Sequence, residues 1–196
     1  MSAQLFLIAP DDLDVGLLTL MLAAAEVSAL LVPRRNLAEN AYKAMVKAIR
    51  PHAQEAGCAV LVEGEPGLVR LLGADGLHLG ESSKGATIDA VRALKPDLIV
   101  GAWAANRDEA MTKGELGVDY LFFGPLSGQL DERDRALAAW WAQTMEVPAV
   151  LSDPAASPES LDPLGCEFAA LSENLWNAKE GPARAIAAFA RRLEAV

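Results

Sequence analysis

The chain has 196 residues, of which 52% are hydrophobic and 22% are charged, so it can bury a core and is not intrinsically disordered. Its 27 acidic residues outnumber its 17 basic residues, which gives a net charge of −10 with both histidines neutral. This charge argues against a nucleic acid and against an anionic membrane surface as partners. A single domain over residues 1–196 is expected at this length.

Short apolar runs typical of buried parallel strands recur along the chain, and segments with helical periodicity separate them. Helical spacing is clearest between Leu37 and Ile49 and between Ile186 and Leu193. Eight strands in strict alternation with about seven or eight helices predict an α/β fold, a compact (β/α)8 TIM barrel, with an open doubly wound sheet as the alternative. The eight predicted strands are Leu5–Ala9, Val27–Val32, Ala59–Val62, Gly76–Leu79, Leu98–Gly101, Tyr120–Phe123, Ala149–Leu151 and Phe168–Leu171.

The lack of a recognisable signal peptide or membrane span in the sequence, and the small number of cysteines, lead us to expect a soluble cytoplasmic protein. Residues 1–10 lack the basic region of a signal peptide, and the longest apolar stretch, Val15–Ala25, is about half the length of a membrane span. Cys58 and Cys166 are too few for a disulfide framework and are expected to be reduced, buried thiols on strands.

Residues that follow the strands are the candidates for a functional site, because (β/α)8 barrels bind ligands at the carboxyl ends of their strands. Glu63, Glu65 and Glu81 could form a site for Mg²⁺ or Ca²⁺, or could be solvated acids at the rim. Arg34 could bind an anion at the barrel mouth or pair with Glu63. His78 lies within an apolar run and is interpreted as a hydrogen-bonded core histidine rather than a catalytic one.

Two tryptophans, Trp140 and Trp141, fall on the predicted sixth helix and are interpreted as helix-packing residues. An exposed aromatic pair would instead indicate a subunit contact and, with it, a homodimer. The run DERDR at residues 131–135 is interpreted as the start of that helix, with acids in its first turn.

Three segments resemble the superfamily of thiamine phosphate synthase and thiazole tautomerase. They are GADGLHLGE at residues 73–81, VGAWAANRDEAMTKGELGVDYLFFGPL at 100–126 and GCEFAALSENLW at 165–176. The similarity extends along the chain, with one slip in register near Ala155. It implies a (β/α)8 barrel and a transferase reaction of thiamine biosynthesis. In that reaction hydroxymethylpyrimidine diphosphate is joined to thiazole phosphate, with Mg²⁺ assistance and release of pyrophosphate.

Most of the residues that the family uses for this reaction are replaced here. The family's Gln-x-Arg-x-Lys set after the second strand corresponds to Val32, Arg34 and Asn36, and its two metal-binding aspartates correspond to Gly64 and Ser83. Ala105 stands about where tautomerases place a catalytic histidine, Ser127–Leu130 replace a Thr-x-Thr-Lys segment, Ser152–Pro154 replace the region of two phosphate-binding glycines, and Glu173 replaces a serine.

The resemblance therefore implies a divergent member of the superfamily, impaired in the family reaction or without it, and it assigns no residue to catalysis. An unidentified small molecule would contact Arg34, Asn36, Gly124 and Ser127, and Mg²⁺, if it is retained, would be bound by Glu63 and Glu81. The alternatives are an active synthase that uses substituted ligands and a barrel enzyme with changed specificity for an unphosphorylated substrate.

Overall fold

The computed structural model describes residues 2–195 and forms a closed barrel of eight parallel strands, as predicted. Each strand pairs with the next along the chain, and the last strand pairs with the first. The fourth, sixth and eighth strands match their predicted bounds residue for residue. The strands are β1 (Gln4–Ile8), β2 (Ala29–Val32), β3 (Ala59–Glu63), β4 (Gly76–Leu79), β5 (Ile99–Trp103), β6 (Tyr120–Phe123), β7 (Ala149–Ser152) and β8 (Phe168–Leu171).

Helices cover the outside of the barrel, and short polar side chains begin several of them. Asp14, Ser83, Asn106 and Asp131 each accept a hydrogen bond from a backbone N–H in the first turn that would otherwise lack a partner. The helices are α1 (Val15–Ala24), α2 (Glu39–Glu55), α3 (Pro66–Leu72), α4 (Lys84–Leu94), α5 (Arg107–Glu115), α6 (Glu132–Thr144), α7 (Glu173–Trp176) and α8 (Pro182–Glu194). Within residues 2–195, no helix is long and apolar enough to cross a membrane.

The prediction of strict alternation is wrong at one place, the connection between β7 and β8. This segment contains no helix, and two helices, α7 and α8, follow β8 instead. Pro154, Pro158 and Pro163 fall within the segment, and each lacks the N–H that a helix interior needs. Cys58 and Cys166 are free, buried thiols as expected, but each lies just before a strand rather than on it.

The barrel interior is filled by aliphatic and aromatic side chains, and a group of aromatic rings packs within it. Phe6 contacts Tyr120 and Phe122 edge to face, with ring centroids 5.9 and 6.0 Å apart. Gly101 on β5 makes room for this packing, because a Cβ atom there would lie 1.9 Å from Cζ of Tyr120. The side chains on the other face of each strand pack against the helices and form a second, larger core.

Candidate functional site at the barrel mouth

His78 and Tyr120 form a polar pair at the floor of the barrel mouth. Nδ1 of His78 lies 2.9 Å from the Tyr120 hydroxyl, and the imidazole stacks on the phenol ring. Burial, with a contribution from the charge of Lys113, lowers the pKa of His78 to about 3, so the ring is neutral at physiological pH. The interpretation of His78 as a hydrogen-bonded core histidine is confirmed, although the residue also borders the cavity above it.

A cavity of about 300 Å³ opens above this pair, at the carboxyl ends of β4, β5 and β6. Its volume lies at the lower end of the range typical of small-molecule sites. Most of its wall is apolar, and the ionisable groups at its edge are acidic. The lining residues are His78, Gly80, Glu81, Trp103, Phe122, Gly124, Pro125, Leu126 and Asp134.

Gly124 allows the loop after β6 to turn close to β7. Its backbone has a φ of +94°, which residues with a Cβ atom adopt only under strain. A Cβ atom at this position would also lie 2.5 Å from the carbonyl oxygen of Ser152. The buried Ser152 hydroxyl donates a hydrogen bond to the Pro125 carbonyl, with an O···O distance of 2.6 Å. These contacts fix the wall of the cavity in place.

Two of the carboxylates near the mouth are partly withdrawn from water. Burial, and the nearby charge of Asp131, raise the pKa of Asp134 above its usual value. Burial also raises the pKa of Asp153, and the Arg135 guanidinium, 3.6 Å away, opposes that shift. Sequence analysis missed Asp134, because its position in a charged helix start is typical of a solvated residue.

The expected ion pair between Arg34 and Glu63 is wrong. Glu63 instead accepts a hydrogen bond from the backbone N–H of Arg34, with an N···O distance of 2.8 Å, and among residues 2–195 no carboxylate forms an ion pair with the Arg34 guanidinium. The chain turns at the end of β2 so that the amide, not the side chain, faces Glu63. Arg35 makes the ion pair in this region, at 2.6 Å from Asp11.

The other residues expected to bind the ligand do not share one cavity. Gly124 and Glu81 line the central cavity, whereas Ser127 lines a second cavity between the loops that follow β8 and β1. Arg34 and Asn36 are exposed, and neither is among the residues that line these two cavities in the described part of the chain.

Backbone donors near β7 and β8 are largely used by the protein itself. The amide of Asp153 donates to the Ala170 carbonyl, and the amide of Asn174 donates to the Pro154 carbonyl. Pro154 has no N–H to offer. Phosphate sites in barrels often use N–H groups of these loops, and these two amides and Pro154 are not available for that purpose.

The residues at the mouth supply few ligands for the Mg²⁺ that the family reaction uses. No group of three or more His, Cys, Asp or Glu side chains within residues 2–195 is arranged to bind a metal, so Mg²⁺ would have to be held by one or two carboxylates together with substrate phosphate and water. Glu63 already accepts the Arg34 amide, and burial raises the pKa of its carboxyl, which disfavours the charged form that a metal requires. A role for Glu63 and Glu81 as ligands stays a prediction.

Lys113 is a buried cation that sequence analysis also missed. The residue is 2% exposed, and its ammonium group donates to the Trp103 carbonyl at 2.7 Å and lies 3.5 Å from Glu109. Its place on a polar helix, α5, is typical of a solvated lysine, so the sequence carries no signal for this contact. The lysine holds the end of β5, where Trp103 enters the cavity wall.

The tryptophan pair on α6 packs against the protein. Trp141 is buried and donates to the Val147 carbonyl at 2.7 Å, and Trp140 is half-buried beneath the Arg107 guanidinium, 4.5 Å from its ring centroid. The interpretation as helix-packing residues is confirmed. A homodimer stays a prediction.

The fold and the central cavity together define a (β/α)8-barrel protein with a small-molecule-sized site at the carboxyl ends of its strands. The model of the family described as "Thiamine monophosphate synthase" matches residues 5–152. The "Thiamine-phosphate synthase" of Rhodospirillum centenum is 30% identical over 97% of this chain and 97% of its own length. That of Hyphomonas neptunium is 37% identical over 72% of this chain and 67% of its own length. The chain therefore belongs to the thiamine monophosphate synthase family.

Solved structures agree with the barrel fold. A thiamine phosphate pyrophosphorylase from Pyrococcus furiosus superposes with a TM-score of 0.82 at 19% identity, over 98% of this chain and 96% of its own. A structure described as "Native KDPGal structure" superposes with a TM-score of 0.74 at 18% identity, over 100% of this chain and 98% of its own. Likeness at this level of identity supports the fold alone.

Proposed function

We propose that this chain is a divergent member of its family that no longer joins hydroxymethylpyrimidine diphosphate to thiazole phosphate, and that it binds a small unphosphorylated molecule at the barrel mouth. The central cavity carries this proposal. Its wall is mainly apolar and aromatic, and its edge carries the carboxylates Glu81 and Asp134. A flat neutral molecule suits such a wall better than a diphosphate does.

Charge repulsion supports the loss of phosphate binding. A carboxylate at about 5 to 8 Å from a phosphate charge opposes binding by roughly 2–3 kcal/mol at an effective dielectric constant of about 20. Asp153 and Glu173 follow β7 and β8, the region where the family resemblance implies a phosphate. Arg135 is already paired with Asp153, so it cannot serve a phosphate without leaving that carboxylate unpaired.

The neutral His78 supports a polar but uncharged ligand. Its Nδ1 is hydrogen-bonded to the Tyr120 hydroxyl. Its Nε2 has no hydrogen-bond partner among the described residues, and the side chain borders the cavity. The ring therefore offers one hydrogen-bonding atom at the floor and no positive charge to attract an anion.

Calorimetric titration with pyrophosphate and with thiazole phosphate, each in the presence of Mg²⁺, tests the proposal. We expect no binding heat with either ligand up to millimolar concentration. Binding at micromolar Kd would mean that other residues have rebuilt the site, and the proposal would be wrong.

A second candidate function is an active synthase that uses substituted ligands. The observation that favours it is the match of the Rhodospirillum centenum relative, named thiamine-phosphate synthase, along 97% of both chains. In that case Arg34, Asn36, Gly124 and Ser127 would contact the substrates, and Glu63 and Glu81 would bind Mg²⁺. Calorimetry separates the two functions, because only the second requires pyrophosphate to bind.

A further inference from the structure

The second cavity at the barrel mouth lies between the loops that follow β8 and β1 and has a volume of about 630 Å³. It is separate from the central cavity, and with the exception of Arg35 its charged wall residues are carboxylates. These are Asp11, Asp12, Asp14 and Glu173.

The single arginine in the wall does not offset these acids. Arg35 is paired with Asp11 at 2.6 Å and also donates to the Ala9 carbonyl at 3.0 Å. Asp14 accepts the Leu17 amide and Glu173 accepts the Gly128 amide, and these neutral donors leave both carboxylate charges in place. With Arg35 balanced by Asp11, three negative charges remain uncompensated, and Asp12 has no hydrogen-bond or ion-pair partner among the described residues.

Ser172 gives an independent indication of a ligand. The residue is 4% exposed and lines the cavity, and its hydroxyl makes no hydrogen bond within the described part of the chain. A buried hydroxyl that lacks a partner in the wall of a cavity favours a polar ligand that can pair with it.

Trp176 supplies a fixed aromatic surface beside the carboxylates. Its Nε1 donates to the Ile8 carbonyl at 2.7 Å, which anchors the ring at the end of β1, and the half-buried ring lines the cavity. An aromatic face next to carboxylates binds cations that carry alkyl groups, because the ring attracts the charge and also covers the apolar part.

We propose that this second cavity binds a small organic cation, such as an alkylammonium or quaternary ammonium compound. The charge would be balanced by Asp12 and Glu173, the apolar part would contact Trp176, and Ser172 would hydrogen-bond a polar group of the ligand. This inference goes beyond the proposed function and concerns a different cavity, so pyrophosphate titrations can support or contradict one without deciding the other.

Titration of the full chain with choline tests this inference, and its neutral isostere 3,3-dimethyl-1-butanol is the matched control. We expect choline to bind at least about tenfold more tightly than the alcohol, since the two differ in charge and hardly in shape. We also expect choline binding to weaken as salt is added. Equal affinities, or no binding of either compound, would overturn the inference, and so would displacement of choline by micromolar Ca²⁺.

Variants at the cavity locate the binding. Asp12→Asn removes one charge at an exposed residue that has no hydrogen-bond or ion-pair partner within residues 2–195, so the fold is expected to be unchanged and the Kd for choline to rise about three- to tenfold. Trp176→Leu should remove most of the binding. Glu180→Gln makes the same charge change at an exposed residue outside the cavity and should leave the Kd unchanged. Equal effects of the Asp12 and Glu180 variants would contradict a site at this cavity.

Discussion

The two sides of the barrel mouth are built in different ways. On the side of β4, β5 and β6, His78, Tyr120 and Gly101 pack closely in the barrel interior, and burial keeps His78 neutral. On the side of β8 and β1, polar groups lie at the surface and are joined by exposed contacts such as the pair of Arg35 with Asp11. The first side contains the sequence GADGLHLG at residues 73–80, whereas the second carries the carboxylates Asp11, Asp12, Asp14 and Glu173.

This difference indicates which changes the fold tolerates. Packing inside a barrel leaves no room for a new atom, so the first side constrains its residues strongly. Exposed loop residues can change charge at little cost in stability, so binding properties can change there while the barrel is kept. Substitutions in the packed interior should therefore lower stability more than substitutions at exposed residues of the other side.

The largest effect is expected from Gly101→Ala. The new Cβ would lie 1.9 Å from Cζ of Tyr120, so the ring must move and the contact with His78 must break. We expect the free energy of unfolding, measured by urea denaturation, to fall by more than about 2 kcal/mol. Gly67→Ala is the control, because among the described residues only its chain neighbours and the backbone of its own helix lie near the added Cβ, and it should be neutral or slightly stabilising. Equal stabilities of the two variants would contradict the packing described for Tyr120.

The next effect is a dependence of stability on acid pH. The pKa of His78 is about 3 in the folded chain, and that of an unfolded histidine is about 6.5, so the unfolded state binds the proton more readily between these values. The contribution of His78 is complete above pH 6.5 and is lost as the pH falls towards 3, by at most about 1.4 kcal/mol per pH unit. His78→Asn should flatten the curve of unfolding free energy against pH, whereas His52→Asn, at an exposed residue, should not. Parallel curves for His78→Asn and the wild type would show that the histidine is not buried in its neutral form.

A smaller effect with the opposite dependence on pH is expected at Glu63. Burial raises the pKa of this carboxyl above its unfolded value, so its contribution to stability is complete at low pH and declines as the pH rises through the folded pKa. Glu63→Gln keeps an oxygen that can accept the Arg34 amide. We expect it to raise the unfolding free energy at pH 7 by less than about 1 kcal/mol and to have no such effect at pH 3. A large loss at pH 7 would instead indicate that the carboxylate charge is needed there.

The smallest effect is expected from the exposed ion pair. Arg35→Gln should lower the unfolding free energy by about 0.2–1 kcal/mol, and added salt should reduce the difference, because surface pairs are weak and screened. Arg34→Gln is a matched control, since the neighbouring guanidinium has no carboxylate partner among the described residues, and it should change stability less. A larger loss for the Arg34 variant would contradict the assignment of the pair to Arg35.

The sequence predicted the barrel well because most residues of each strand are apolar, as in buried parallel strands. The run Gly76–Leu79 is β4 without any shift in bounds, and the predicted start of α6 within residues 131–135, with acids in its first turn, is also present. The connection between β7 and β8 was predicted less well, because strict alternation implied a helix in a segment that contains three prolines. The prolines disfavour a helix there because they lack the backbone N–H that a helix interior needs, and the alternation of strands and helices does not take this into account.

The site was harder to predict, because side-chain direction at a turn depends on the path of the backbone. Arg34 and Arg35 are adjacent in sequence, yet of the two only Arg35 forms an ion pair with a carboxylate among the described residues. Arg35 has a φ of +40°, a backbone conformation that the sequence pattern did not predict. Lys113 is buried on the inner side of α5, with its ammonium group bonded to the Trp103 carbonyl, which its polar neighbours in sequence do not reveal. Both contacts depend on tertiary structure.

A turnover assay tests the central claim most directly. The purified chain would be incubated with hydroxymethylpyrimidine diphosphate, thiazole phosphate and Mg²⁺, and thiamine phosphate and released pyrophosphate would be measured together. We expect neither product above the level of a reaction without protein. Formation of both products in equal amounts, reduced by Glu63→Gln or Glu81→Gln, would contradict the loss of the family reaction and would favour an active synthase with substituted ligands.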